Sequence, residues 1–396
     1  MDTFNLIEEF KTIYQTTNTP KAFFAPGRIN LIGEHTDYNG GHVFPASISS
    51  GTYTLAQKRE DQKFRFYSMN LADKGVIECS LSDLDFKEED SWANYPKGMI
   101  QHLIKAGYNI TSGADILYYG NIPNSAGLSS SASIELATGV LAEGLYDLEI
   151  NRVDMVQIGQ KVENDYIGVN SGIMDQFAVG MGKENHAILL NCDTLEYHYA
   201  PVELTEHIIV IINTNKSRTL AGSEYNKRRS QCEKALEDLQ TELSIDSLGQ
   251  LTKETFDNNQ HLIKDDVDRK RAKHAVYENA RTLEALEKLQ QGDLQAFGQL
   301  MYASHDSLKN DYEVTGLELD TIVDAAREQE GVLGARMTGA GFGGCAIAIV
   351  ETNKAEAFKK NVNSIYRDTI GYDDTFYTAS IKDGAKEINI EEVLAI

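Results

Sequence analysis

The sequence has only six prolines and four cysteines among its 396 residues, no long uninterrupted hydrophobic run, and few basic groups for its size. Each shortage excludes a class of protein. Cys79, Cys192, Cys232 and Cys345 are scattered, with no C-x-x-C pair, so reduced thiols are expected rather than a disulfide framework or a zinc site. No apolar stretch is long enough to cross a bilayer, and the first ten residues lack the basic start and apolar core of a signal peptide. Lys plus Arg number 37 against 60 Asp plus Glu, a formal net charge of -23. Such a surface repels phosphate backbones, so no nucleic-acid partner is expected. A phosphorylated ligand would need a local positive site, a helix N-terminus or a metal ion. Among phosphate-binding motifs, G-x-x-x-x-G-K-[ST] is missing, as are the His-Arg-Asp and Asp-Phe-Gly sets of protein kinases. The expectation is a cytoplasmic globular protein without membrane contact, long enough for two domains.

Apolar residues Phe4, Leu6, Ile7, Phe10 and Ile13 fall mostly at helical spacing and predict an amphipathic first helix. Strands are expected at Phe64–Met69, Ala114–Ile122, Ala187–Cys192, His207–Asn213 and Gly344–Val350, each short and rich in β-branched or aliphatic residues. Helices are expected over Ser131–Tyr146, over Asn151–Tyr166 and after Gly222. A polar passage follows from Thr241 to Asp266, and then come two helical stretches, one carrying Val276, Leu283, Leu286 and Leu289, the other Leu294, Phe297, Leu300 and Met301. The mixture predicts an α+β protein in two lobes, residues 1–200 and 201–396, with a soft boundary near Ala200.

Three glycine-bearing segments carry the chemistry. Pro26-Gly-Arg-Ile-Asn-Leu-Ile-Gly-Glu-His-Thr-Asp-Tyr-Asn-Gly-Gly41 gathers Arg28, Glu34, His35, Asp37 and Asn39, and reads as poor material for a plain strand or helix. One basic group beside two carboxylates suits a hydroxyl-rich ligand. Ile122-Pro-Asn-Ser-Ala-Gly-Leu-Ser-Ser-Ser-Ala-Ser133 lies between an expected strand and an expected helix. Its small residues leave backbone N–H groups open toward a helix N-terminus, an anion cradle suited to nucleotide phosphates; the plain alternative is a serine-rich helix cap. In Met337-Thr-Gly-Ala-Gly-Phe-Gly-Gly-Cys345, the letters match G-x-G-x-x-G. The run leads into a strand instead of opening a helix, so the dinucleotide reading is rejected. A turn near a phosphate or substrate and a tight structural turn both stay open. Glu163 and Asp175 add two carboxylates. The plain readings are a solvated glutamate and a helix cap, although a buried Asp175 would need a partner such as Arg28.

These segments, in this order, resemble the GHMP small-molecule kinases. Gly27 to Tyr38 is similar, position by position, to the motif of the family's galactokinase branch. Pro123–Ser133 is similar to the family's phosphate loop and Thr338–Gly344 to its third motif. The likeness continues through Ser171-Gly-Ile-Met-Asp-Gln176, Gly222-Ser-Glu-Tyr-Asn226 and Ser304-His-Asp-Ser-Leu308. It implies a two-lobed GHMP kinase fold, with an N-terminal lobe like ribosomal-protein S5 domain 2 and a C-terminal α+β lobe. The implied reaction is transfer of the ATP γ-phosphoryl group to the C1 hydroxyl of galactose, assisted by Mg2+. By resemblance, Glu34, His35, Thr36, Asp37 and Tyr225 contact the sugar. Ser68 and the loop Ser125, Ala126, Gly127, Leu128, Ser129, Ser130 and Ser131 hold ATP, and Ser131 and Glu163 ligate the metal. Asp175 is the catalytic carboxylate and Arg28 its partner. The expected partners are galactose and ATP, with the chain a monomer or weak oligomer. An N-acetylgalactosamine kinase, a non-catalytic galactose sensor and a glycosidase using Glu34 and Asp37 are the competing readings. One departure stands out: the family often has Leu-Gly where this chain has Asn124-Ser125, and a serine there predicts an ordinary negative φ.

Overall fold

The computed structural model describes residues 5–123, 125–217 and 221–395. Phe4 of the expected first helix and Asn124 of the serine loop lie outside the described residues. Helix α1 (Leu6–Tyr14) forms as its spacing predicts: the Asn5 side chain accepts the Glu8 N–H, and Leu6, Phe10 and Tyr14 are buried on one face. The first half continues with β1 (Lys21–Asn30), β2 (His42–Val43), β3 (Pro45–Lys58), β4 (Lys63–Ser68), β5 (Ile77–Ser80), α2 (Asn94–Lys105) and β6 (Ala114–Gly120). Helices α3 (Ser130–Tyr146), α4 (Arg152–Lys161) and α5 (Met174–Met181) follow, then β7 (His186–Asn191) and β8 (Tyr197–Pro201). The second half runs β9 (His207–Asn213), α6 (Ala221–Leu239), α7 (Lys253–Asn259), α8 (Asp266–Gln290), α9 (Leu294–Ser307) and α10 (Gly316–Arg327). It ends with β10 (Val332–Thr338), β11 (Cys345–Glu351), α11 (Ala355–Ile370), β12 (Thr375–Ala379) and β13 (Lys386–Ile388). All five expected strands are present to within two residues.

The strands form sheets ordered β13-β1-β3-β6-β4-β5, β10-β11-β9-β12 and β2-β7-β8. Strand β13 pairs antiparallel with Ala22–Phe24 of β1, so the end of the chain crosses back over the expected boundary near Ala200. Strands β9 and β11 explain how the two halves join. Successive side chains on a strand point to opposite faces. Val210 and Ile212, with Ala346, Ala348 and Val350, face the core of the second half. Ile209 and Ile211, with Cys345, Ile347 and Ile349, face a second core shared with Ile29, Leu31, Phe44 and Leu128 of the first half. Burial on both faces is why these two segments read as nearly continuous apolar runs.

The first chemical segment differs from its expectation. It is strand as far as Asn30, because β1 is held between β3 and β13 and its last nine residues are buried. The register with β3 shifts between Pro26 and Arg28, a bulge centred on Gly27. A Cβ at Gly27 would lie 2.7 Å from the Leu128 carbonyl oxygen, whereas the next residue's N–H donates to that same oxygen at 3.1 Å. Bulges re-aim the side chain that follows, and here the side chain is Arg28. Helix α4 also departs from expectation. It is regular only to Lys161, and residues Val162–Ile167 form a π-helical turn that contains Glu163. Among the described residues no helix is long and apolar enough to cross a membrane.

Candidate active site

The end of β1, the loop before α3, the start of α5 and the β10–β11 turn converge on a cavity of about 430 Å³. Arg28, Glu34, His35, Asp37, Asp175 and Tyr225 line it together with Ser125, Gly127, Ser129, Ser130, Ser131 and Glu163. The structure thus gathers most of the residues singled out in the sequence into one space.

Arg28 is the hinge of the arrangement. It is buried, and its Nε donates to Asp175 Oδ1 at 2.9 Å. A second guanidinium nitrogen lies 2.9 Å from the same oxygen, and NH1 donates to the Gly127 carbonyl at 2.9 Å. One side chain therefore ties the carboxylate to the serine loop. Asp175 sits in the first turn of α5, where the helix dipole favours a negative charge.

The serine loop ends at α3, whose N-cap residue Ser129 has φ of 64° and makes no side-chain cap bond. The helix N-terminus is consequently left for a ligand, as an anion site requires. Ser129 is buried among the residues that line the cavity, and its Oγ has no hydrogen-bond partner among the described residues. Ser125 overturns the expectation of a negative φ: it stands at 57°. Its side chain is exposed, and the neighbouring Ala126 N–H closes a turn on the Pro123 carbonyl at 3.2 Å. A left-handed serine costs about 1 kcal/mol. Ala126 and Leu128 are buried within the core shared by the two halves and do not line the cavity.

The carboxylates are perturbed by burial. Desolvation pushes Glu34 up to about 7 against the opposing pull of Arg336 and Arg28, and Asp37 up to about 6 with the charge of Asp175 adding to the shift. Glu34 Oε1 accepts the Gly339 N–H at 2.8 Å and lies 3.3 Å from Arg336. Asp37 accepts from the Tyr38 N–H at 3.0 Å and the Met174 N–H at 3.4 Å. Glu163 is raised by burial, while its hydrogen bond with Ser131 acts the other way and no basic side chain helps. The fully buried Glu135 touches it and is raised well above the usual range, first by burial and then by the Glu163 charge. Its Oε2 accepts from Gln176 Nε2 at 3.0 Å. Glu135 escaped the sequence reading, although it lies four residues after Ser131 and so on the same helix face.

Not every expected site residue lines the cavity: Thr36 is fully buried and lies off the lining. Its hydroxyl is taken by the carbonyls of Gly33 (2.9 Å) and His42 (2.6 Å), so it fixes the loop. His35 lines the cavity with both ring nitrogens already engaged. Burial lowers it to about 3, hence it is neutral; Nε2–H donates to the Ala340 carbonyl at 2.9 Å and Nδ1 accepts from the Tyr38 hydroxyl at 2.7 Å. It joins the first and third motifs through its two ring nitrogens. Asn39 holds this residue in turn, donating to the His35 carbonyl at 2.8 Å. Ser68, at the end of β4, is buried beside Tyr118 and also lies off the cavity lining. Tyr225 of α6 lines the cavity with its ring centroid 5.4 Å from those of His35, which it meets at a tilt, and Tyr38, which it meets edge-on.

Comparison with known proteins agrees with this geometry. Residues 8–58 match the galactokinase galactose-binding signature, residues 94–183 the GHMP kinases N terminal domain, and residues 284–368 the GHMP kinases C terminal domain. The chain is 60% identical to the galactokinase of Ligilactobacillus salivarius over 92% of its length and 94% of the relative's. It is 58% identical to that of Enterococcus faecalis over 97% and 99%. A crystal structure of Lactococcus lactis galactokinase complexed with galactose is 54% identical and superposes with a TM-score of 0.95, covering 97% of this chain and 99% of the other. The mevalonate kinase of Methanococcus jannaschii shares the fold alone, at 17% identity and a TM-score of 0.66 over 93% and 100% of the two chains.

Proposed function

The chain belongs to the GHMP kinase family, in its galactokinase branch, and from that premise we propose how its residues divide the transfer of the ATP γ-phosphoryl group to the C1 hydroxyl of α-D-galactose, which yields galactose 1-phosphate and ADP. The observation that carries the division of labour is the Arg28–Asp175 pair, which stands between the serine loop and the buried carboxylates in one cavity.

Glu34 and Asp37 accept hydrogen bonds from sugar hydroxyls, and Tyr225 covers the sugar from α6. Asp175 accepts the proton of the attacking hydroxyl. Arg28 holds the Asp175 carboxylate in place and, bonded to the Gly127 carbonyl, is near enough to the loop to stabilise charge on the transferring group. Because the transition state of such a transfer is loose, holding the two substrates in line matters as much as prior deprotonation. The uncapped N-terminus of α3 and the unpartnered Ser129 hydroxyl receive ATP phosphates. In this reading His35 and Thr36 hold the loop that carries Glu34 and Asp37.

Ser131 and Glu163 suit a magnesium ion, which takes one or two protein oxygens together with phosphate oxygens. A buried carboxylate with no cationic partner is the feature that fits. When bound there, the ion neutralises charge on the phosphates of ATP. Glu163→Gln is expected to raise the magnesium concentration needed for half-maximal rate about tenfold; an unchanged magnesium titration removes Glu163 from that role. The chain works as a cytoplasmic enzyme on small-molecule substrates.

ADP release measured with galactose, glucose, N-acetylgalactosamine and mevalonate tests the reading. Turnover with galactose at least about tenfold above every other acceptor is expected. Saturable galactose binding without ADP release would instead identify a sensor, and preference for N-acetylgalactosamine would identify the sister activity.

A further inference from the structure

Glu34 has four polar groups able to hydrogen-bond, and the second half of the chain holds three of them. Its backbone N–H donates to Glu278 Oε2 at 3.3 Å. Its carbonyl accepts from His274 Nε2 at 3.0 Å, the other ring nitrogen of His274 accepting from the Ser307 hydroxyl at 2.8 Å. Its Oε1 accepts from the Gly339 N–H and faces Arg336 NH1. Among the described residues nothing is seen to bond Oε2, which is left for a ligand in the cavity.

The groups that hold Glu34 are themselves connected. Arg336 of β10 is fully buried; its NH1 also donates to the Asn30 carbonyl at 2.8 Å, and its Nε donates to Ser304 Oγ at 3.1 Å. The Ser304 hydroxyl donates to Glu278 Oε2 at 2.5 Å, and Glu278 Oε1 accepts from Arg281 Nε at 2.8 Å. Burial would raise the Glu278 carboxyl, but Arg281, His274 and Arg336 outweigh it and hold it down to about 2. None of Arg336, Glu278 and Ser304 lines the cavity.

Two carboxylates and two guanidiniums removed from water are costly, the more so because one nitrogen of Arg336 and one of Arg281 have no hydrogen-bond partner among the described residues, and an apolar filling of the same volume is often as stable. The apolar core shared by β9, β11 and the first half already joins the two lobes. A charged network beside it therefore needs another reason, and the one residue on which it converges from three directions is Glu34. We propose that Arg336, Glu278 and Ser304 form a buried clamp that positions Glu34 for its hydrogen bond to galactose, so that sugar affinity depends on residues that never touch the sugar. The clamp rests on the reading of Glu34 as a sugar ligand.

Ser304→Ala removes the central hydroxyl with little change of volume and leaves Arg336 Nε and Glu278 Oε2 each short of a partner. Arg336→Lys keeps the charge and loses the two-pronged geometry. Galactose binding is followed by calorimetry, with KM for each substrate and kcat from steady-state rates. Galactose Kd and KM are expected to rise about tenfold in both variants, with the KM for ATP and kcat at saturating galactose within about threefold. A merely structural role would lower Tm and weaken both substrates alike, which overturns the proposal. Galactose affinity within twofold of the unaltered chain in a folded variant overturns it too, and Ser304→Ala decides if Arg336→Lys fails to fold. Glu34→Gln in the same titration separates the two levels. If it leaves galactose binding unchanged, Glu34 is no sugar ligand and the clamp falls with it. If it weakens binding while the clamp variants do not, the clamp alone falls.

Discussion

Asp175→Asn is expected to bind galactose within about threefold of the unaltered chain while losing about 10²–10⁴ of its turnover, the range a positioned general base contributes. The asparagine matches the shape of aspartate and can still accept one hydrogen bond from Arg28, so the guanidinium keeps both this contact and the Gly127 carbonyl. What disappears is the charge that accepts a proton. Removing one partner of a fully buried ion pair destabilises by about 3–5 kcal/mol, but the Asp175 side chain is 33% exposed, so solvent screens much of that loss and the fold should survive. A loose transition state lessens the value of deprotonation, which favours the lower end of the range. The uncompensated Arg28 charge attracts the phosphoryl in the ground state as much as in the transition state, so it leaves kcat little changed. Steady-state kcat and calorimetric galactose binding on the same preparation check this. Turnover above about a tenth of the unaltered value would remove Asp175 from proton transfer.

Gly172→Ala is expected to weaken galactose by about 10- to 100-fold without touching the chemistry directly. A Cβ on Gly172 would lie 2.0 Å from Asp37 Oδ2 and 2.2 Å from its Cγ. Real atoms do not approach so closely, so one group must move. The Asp37 carboxylate is the far end of a rotatable side chain held by two backbone N–H groups, one of them at 3.4 Å, and it yields before the loop does. The sugar then loses its hydrogen bonds to an ionised acceptor, each worth about 1.5–3 kcal/mol, which is roughly the 10- to 100-fold stated. The distinguishing measurement is a cycle with Asp37→Ala. If Gly172 acts by displacing Asp37, the double variant is no worse for galactose than Asp37→Ala alone, because the two changes remove one and the same contact. Additive losses would show that the added methyl harms the site by another route.

The fold and most of the site were legible in the sequence for identifiable reasons. Runs such as His207–Asn213 are buried on both faces, so their composition is unambiguous. The serine loop and the Gly27–Tyr38 motif combine residue types that no plain strand or helix needs. What escaped reading is also explicable. Strand β1 carries Pro26, Gly27 and Arg28 in its middle, and only tertiary pairing with β3 and β13 makes that segment a strand. Ser125 adopts a conformation that its side chain disfavours because the loop around it is fixed elsewhere. Thr36 and His35 also brace the loop, since local carbonyls and Tyr38 engage their polar atoms, a pairing that spacing does not reveal. Arg336 and Glu278 lie far from Glu34 in sequence and meet it only when the β10–β11 turn closes over the loop after β1.

The geometry also sets what must come out of the site. On the proposed division of roles, Asp175 and Arg28 stand between the carboxylates Glu34 and Asp37 and the serine loop, so that one hydroxyl of the sugar would face the phosphates. Phosphorus NMR of the product formed from galactose and ATP tests this most directly. Galactose 1-phosphate as the sole sugar phosphate, in step with ADP, is the expected spectrum. Phosphate on any other hydroxyl, or ADP and inorganic phosphate without a sugar phosphate, would contradict it.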